Sequence, residues 1–183
     1  LKNEKTILVI QHPVTLEIES AEKQMEETLN AIKKIGLQNV IIYPNADAGN
    51  TRIINVINKF KNEPNFKIFK NLDHFDYLSL LNYAEIIVGN SSSGIIEAAS
   101  FKKPVINIGT RQKGRERTFN VIDSGHSQEE IIKSIELALS PSFKEKIKEC
   151  INPYGEGNTG MKISKILSEI EINPELLQKQ ITY

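Results

Sequence analysis

The residues able to do chemistry in this chain are spread over short stretches rather than gathered in one motif. The stretches hold His12, Asn45, Asn71, the run Gly89-Asn90-Ser91-Ser92-Ser93-Gly94, and Gly109-Thr110-Arg111. An imidazole, carboxamides, serine hydroxyls and a guanidinium are donors suited to a phosphate-bearing ligand. The serine run is the strongest signal. Where a buried strand hands over to a helix, the first helical N–H groups lack partners and the dipole's positive end lies there. Ser91, Ser92 and Ser93 would add hydroxyl donors, and Gly94 would let backbone approach a ligand. Taken alone, the run reads equally as an ordinary serine cap.

Glu97 falls four residues past Ser93. It is placed to accept bonds from ribose hydroxyls, or else to stabilise the helix dipole. His12, held extended by Pro13, either protonates or neutralises a phosphate or is bonded to backbone. Arg111 is the arginine nearest a strand end, whereas Arg115 and Arg117 read as solvated charge. Asn45 holds a ligand group or caps its own turn. His74 and His126 read as surface residues. The three histidines lack metal-ligand spacing, so no metal and no cofactor is called for. The serine run lacks the Gly-x-Ser-x-Gly of a serine elbow, no Gly-Lys-Ser/Thr is present, and no Gly-x-Gly-x-x-Gly follows the first strand.

The elements that must position these residues are legible from periodicity. Thr6-Ile-Leu-Val-Ile10, Val40-Ile-Ile-Tyr43, Phe66-Lys-Ile-Phe69, Ile86-Ile-Val88 and Pro104-Val-Ile-Asn-Ile108 are strand-like, with a possible short strand at Phe119 to Ile122. Between them run helical patterns. Ala21, Met25, Leu29, Ile32 and Ile35 follow a possible Ser20 cap and end at Gly36. Ile53, Ile54, Ile57 and Phe60 form a second face, and Asp73 caps a helix carrying Phe75, Leu78 and Leu81. A helix is expected from Ser93 to Phe101, another from a Ser127 cap through Leu139, and a shorter one from Phe143 to Cys150. An amphipathic helix carrying Met161, Ile163, Ile166, Leu167 and Ile170 follows a turn-dense loop. Strand-helix alternation predicts α/β architecture: a doubly wound parallel sheet, Rossmann-like, in one domain spanning residues 1–183. In such a sheet all strand C-termini share one edge, so the polar stretches would meet there.

Composition narrows the partners. Of 183 residues, 23 are Lys or Arg and 23 are Asp or Glu. This balance gives no drive toward nucleic acid or acidic membrane. Cys150 is the only cysteine, which excludes an internal disulfide and reads as space-filling. No apolar run spans a bilayer, and a cytoplasmic location is expected. The start, Leu1-Lys-Asn-Glu-Lys5, reads as a linker in a fragment of a longer protein, or as a processed end.

The same stretches carry a family resemblance. Gln11-His-Pro-Val-Thr15, Tyr43-Pro-Asn-Ala-Asp-Ala-Gly49, Val88-Gly-Asn-Ser-Ser-Ser-Gly94 with Glu97, Lys103 to Gln112 with Gly114-Arg-Glu116, and Tyr154-Gly-Glu-Gly-Asn158 cover nearly the whole chain. Together they resemble the C-terminal half of UDP-N-acetylglucosamine 2-epimerases. The Ile108-Gly-Thr-Arg-Gln112 and Gly89-Asn-Ser-Ser92 wording is most similar to the hydrolysing, N-acetylmannosamine-forming branch. A branch acting on a diacetamido UDP-sugar is also similar.

The resemblance implies one half of a glycosyltransferase-B-like two-domain enzyme that binds UDP or a UDP-amino sugar. An N-terminal domain with the catalytic carboxylates would be absent from this chain, and the whole protein would be a homodimer. It assigns His12 to the departing diphosphate, Ser91 and Ser92 to phosphate oxygens, and Glu97 to ribose. Asn45 and Arg111 would line the site, and backbone from Phe69 to Leu72 would read uracil. The fragment alone would bind UDP without turnover. The alternatives are a non-hydrolysing epimerase, half of a glycosyltransferase of similar architecture, or a non-catalytic α/β domain.

Overall fold

The computed structural model describes residues 5–155 and 157–178. The expected N-terminal linker before Lys5, Glu156 of the C-terminal loop and the end of the polar tail lie outside them. Strands β1 (Thr6–Ile10), β2 (Gln38–Ile42), β3 (Phe66–Phe69), β4 (Ile86–Gly89), β5 (Val105–Ile108) and β6 (Val121–Ser124) form one sheet in the order β3-β2-β1-β4-β5-β6. Every neighbouring pair is parallel.

Strand residues alternate between two cores. Ile7, Val9, Ile41, Val88 and Ile106 join one core with Met25, Leu29 and Ile32 of α1 (Ala21–Ile35), Ile53 and Ile57 of α2 (Asn50–Lys59), and Ile131 and Ile135 of α5 (Gln128–Leu139). Leu8, Ile10, Val40 and Ile87 join the other with Leu80 and Leu81 of α3 (His74–Tyr83) and with Ala98. Burial on both faces is why these strands read as unbroken apolar runs. Because the strand order runs outward in both directions from β1 and β4, a crevice opens between their C-terminal ends.

The helix stops behave as side-chain chemistry dictates. Gly36 is left-handed at φ 76°, and its N–H reaches Ile32 O and Lys33 O at 3.3 and 3.1 Å. Asp73 accepts from the Asp76 N–H at 3.0 Å. Ser127 and Glu130 form a reciprocal capping box on α5, with the Glu130 N–H donating to Ser127 Oγ at 3.3 Å. Ser127→Ala should cost about 1 kcal/mol of stability, read by chemical denaturation; no loss would mean water replaces the cap.

Other expectations need correction. Ser20 makes no side-chain cap bond, because a 3-10 turn over Thr15–Ser20 runs directly into α1. Phe75 is 81% exposed and does not face the core; Leu80 and Leu81 do. The helix expected from Ser93 to Phe101 is α-helical only over Ser93–Ile96, here α4. Asn152 Nδ2 donates to Ile96 O at 2.8 Å, and the Ser100 N–H, the normal i+4 donor to that carbonyl, turns to Glu97 O. The last strand is displaced to Val121–Ser124, because the chain turns just before it, with the Val121 N–H donating back to Thr118 O at 3.4 Å. The helix expected up to Cys150 is α6 (Pro141–Lys146) followed by a 3-10 turn, with Cys150 buried.

Two compact units are present, residues 1–153 and 154–183. The second holds the expected amphipathic helix as α7 (Thr159–Glu169) and a short α8 (Pro174–Leu177).

Candidate functional site

The loops after β1, β2, β3 and β4 converge on a cleft of about 360 Å3. His12, Asn45, Lys70, Asn71, Ser91 and Ser93 line it. Ile10, Ile42 and Leu72 add apolar lining. A separate hollow of about 400 Å3, bounded by Val40, Phe69, Leu72, Leu80 and Tyr83, is walled mainly by carbon. It lacks the set of donors that a phosphate requires, so we place the chemistry in the first cleft.

His12 is anchored through its main chain. Its N–H donates to Asn90 Oδ1 at 2.7 Å, and its carbonyl accepts from Asn90 Nδ2 at 2.9 Å. Its imidazole Nδ1 accepts the Asn45 N–H at 3.0 Å. In the neutral ring the proton therefore belongs on Nε2, leaving that atom a donor. Burial, then the Arg111 charge, push the His12 pKa down to about 4, against opposing pulls from Asp47 and Asn45. The free site thus holds a neutral imidazole at pH 7.

The serine loop offers donors at close quarters. The N–H groups of Ser91 and Ser92 make no hydrogen bond among the described residues. The Ser93 N–H donates to Ser91 Oγ at 3.3 Å. Ser93 Oγ is bonded to the Tyr77 hydroxyl. Burial and then the Glu97 charge push the Tyr77 pKa up to about 12, although the Ser93 bond opposes them. Tyr77 is therefore a neutral hydroxyl that lines the cleft and ties α3 to the serine loop. Glu97 lies close enough to Tyr77 to act on it but is not part of the cleft wall.

Gly94 is buried, and a Cβ there would lie 2.8 Å from Val105 Cγ1, so its bareness serves helix–sheet packing. With only four residues in α4, the site depends on individual N–H and hydroxyl groups more than on a long helix dipole. Ser92 and Arg111 lie beside the cleft rather than on its wall. Arg111 Nη1 reaches Asn90 O at 3.3 Å and Nη2 lies 3.5 Å from Asp47 Oδ2. Arg117 forks onto Asp123 at 2.6 Å and is a structural ion pair rather than solvated charge.

Sequence reading missed Tyr77, Glu17 and the role of Asn90. Glu17 gathers three neighbours: Gln24 at 2.7 Å, Thr110 at 3.0 Å and His126 Nε2 at 3.7 Å. His126 is thus half-buried against that carboxylate, not a plain surface residue. Tyr77 was detectable as a polar tip on an apolar helix, four residues past the Asp73 cap. Glu17 carried no periodic signal. Among the described residues no cluster of His, Cys, Asp and Glu is arranged to hold a metal ion, and no helix is long and apolar enough to cross a membrane.

Comparison with known proteins follows the same outline. Residues 1–168 match a family model described as UDP-N-acetylglucosamine 2-epimerase. Over 181 residues the chain is 36% identical to a UDP-N,N'-diacetylbacillosamine 2-epimerase (hydrolyzing) of Legionella pneumophila, covering 99% of this chain and 47% of that protein. Over 120 residues it is 41% identical to a GDP/UDP-N,N'-diacetylbacillosamine 2-epimerase (hydrolyzing) of Campylobacter jejuni, covering 64% of this chain and 31% of that one. In fold it is similar to a UDP-GlcNAc 2-epimerase from Neisseria meningitidis solved with UDP-GlcNAc, at TM-score 0.75 and 24% identity over 93% of this chain and 46% of that one. The chain spans about half the length of the first of these relatives.

Proposed function

Because the chain belongs to the UDP-N-acetylglucosamine 2-epimerase family, we propose that it is the UDP-binding half of a hydrolysing member. The observation that carries this reading is the meeting of imidazole, serine hydroxyls and free N–H groups at the β1/β4 crevice. In the proposed reaction the C2 proton of a UDP-2-acetamido sugar is removed and UDP departs in an anti elimination. Water then adds to the 2-acetamidoglucal, and the free 2-epimer results; from UDP-GlcNAc this is N-acetylmannosamine.

Each residue has a place in that scheme. Ser91, Ser92 and Ser93, with the free N–H groups, hold the diphosphate, and Gly94 lets their loop pack on the sheet. His12 Nε2–H donates to the leaving diphosphate, and a proton taken up from solvent as charge accumulates there goes to Nδ1, which then releases the Asn45 N–H. Arg111 adds positive charge behind His12. Asn45 fixes the imidazole and borders the nucleotide. Glu97 accepts from ribose, and backbone between Phe69 and Leu72 reads uracil. The carboxylates that move protons at the sugar would come from sequence outside this chain, so the chain alone binds UDP without turnover. The hydrolysing relatives favour a second reading of the sugar, a diacetamido UDP-sugar in place of UDP-GlcNAc.

Calorimetric titration with UDP, UMP and ADP tests the reading. Saturable UDP binding, weaker for UMP and absent for ADP, is the expected result. Absence of UDP binding by the folded chain overturns it. Ser92→Ala and Glu97→Ala should each weaken UDP by about 1–3 kcal/mol, the usual loss when a polar partner is removed. Unchanged affinity in both would remove these two residues from the site.

A further inference from the structure

Asn90 follows β4 directly, is 2% exposed and has both its side chain and its carbonyl engaged across loops. Its carboxamide pairs with both main-chain groups of His12, accepting at 2.7 Å and donating at 2.9 Å. Its own N–H donates to Ile10 O at 3.1 Å. Its carbonyl accepts from Gln112 Nε2 at 2.8 Å and from Arg111 Nη1 at 3.3 Å. The loops after β1 and β5 are therefore both tied to the residue that precedes Ser91.

We propose that Asn90 is the positioning residue of this site: it holds His12, Arg111 and the serine loop in one arrangement facing a single diphosphate. The chemistry demands an amide. The His12 N–H needs an acceptor and the His12 carbonyl needs a donor, and only a carboxamide of this length offers both from one planar group. An aspartate would keep the shape, lose the donor and place negative charge beneath the anion. A serine would be too short to span both groups. The ligand identity rests on the UDP-binding reading above, whereas the clamp itself can be tested without ligand.

The experiment uses the whole chain with Asn90→Asp and Asn90→Ser. UDP and uridine are titrated into each, and the imidazole of His12 is followed by NMR against pH in the free protein, its signal assigned through His12→Asn. The groups facing that ring are Arg111, Asp47 and Asn45. A positioning role predicts that Asn90→Asp weakens UDP about 100-fold and Asn90→Ser about tenfold, with uridine changed by less than about threefold. It also predicts that His12 titrates at higher pH in both variants. A carboxylate held against the His12 main chain favours the charged form of the ring, and a loosened loop lets water reach it.

Equal weakening of UDP and uridine in folded variants, or an unchanged His12 titration, would overturn the proposal. If Asn90→Asp does not fold, the serine variant decides alone. If the wild-type chain fails to bind UDP, the nucleotide reading falls and the His12 titration still settles the clamp.

Discussion

Gly89→Ala should destabilise the chain by about 4 kcal/mol or more, placing it among the severe single substitutions. Gly89 sits at φ 135°, and a Cβ there would lie 2.0 Å from Ile10 O and 2.6 Å from Ile10 C. The obstacle is the backbone of the central strand β1, which cannot move aside as a side-chain tip can. The parallel pairing places Gly89 opposite Ile10, so displacement would also separate His12 from the serine loop. Chemical denaturation measures the loss. Gly36→Ala is the internal comparison: φ is 76° but nothing lies within 4 Å of the added Cβ. Its cost should stay near 1 kcal/mol, the ordinary penalty for a left-handed cap. Comparable losses in the two variants would mean that the β1–β4 contact is softer than its geometry requires.

His12→Asn should weaken UDP about 10- to 150-fold at pH 7 and abolish proton uptake on binding. The magnitude is that of one hydrogen bond to a charged group, about 1.5–3 kcal/mol. The asparagine oxygen can still accept the Asn45 N–H, so what is removed is the Nε2–H donor and the ring's capacity to take up a proton. The sign follows from the free-state pKa of about 4, below the ordinary histidine value of 6.5. A bound diphosphate favours the charged ring and raises its pKa. The complex then holds a proton that the free protein lacks, so affinity rises as pH falls from neutrality and levels off near 4.

Calorimetry near pH 5, between the free and the raised pKa, in two buffers of different ionisation enthalpy reads the uptake directly. The nucleotide's own phosphate titration is common to both proteins and cancels. Equal uptake in wild type and variant would remove His12 from the diphosphate. The same pKa depression acts on stability with defined sign. The unfolded chain binds the proton that the folded chain refuses, so stability declines as pH drops from 6.5 toward 4. His12→Asn should flatten that part of the curve.

The site residues divide by how they were legible. Ser91 and Ser93 could be found because a strand-to-helix handover rich in serine carries its own physical meaning, and both line the cleft. His12 was legible as a histidine at a strand end, but its protonation state was not. Its low pKa comes from burial and from Arg111, which is far away in sequence. Gly94 was legible as a glycine at a helix start, but its close packing against Val105 on the next strand was not. Tyr77 and Asn90 were missed because their importance lies in partners that no local pattern reveals.

The strands, most of the helices and their parallel α/β arrangement were legible in the sequence. Those features depend on local periodicity and on caps such as Gly36, Asp73 and Ser127, whose effects extend only a few residues. The tertiary structure alone decided that β1 and β4 are neighbours, with Asn90 clamped to His12 across 78 residues of sequence. It likewise decided that α4 ends after one turn and that the imidazole is neutral. These outcomes depend on strand order, close packing and desolvation, and each of those arises only when distant segments share the same space.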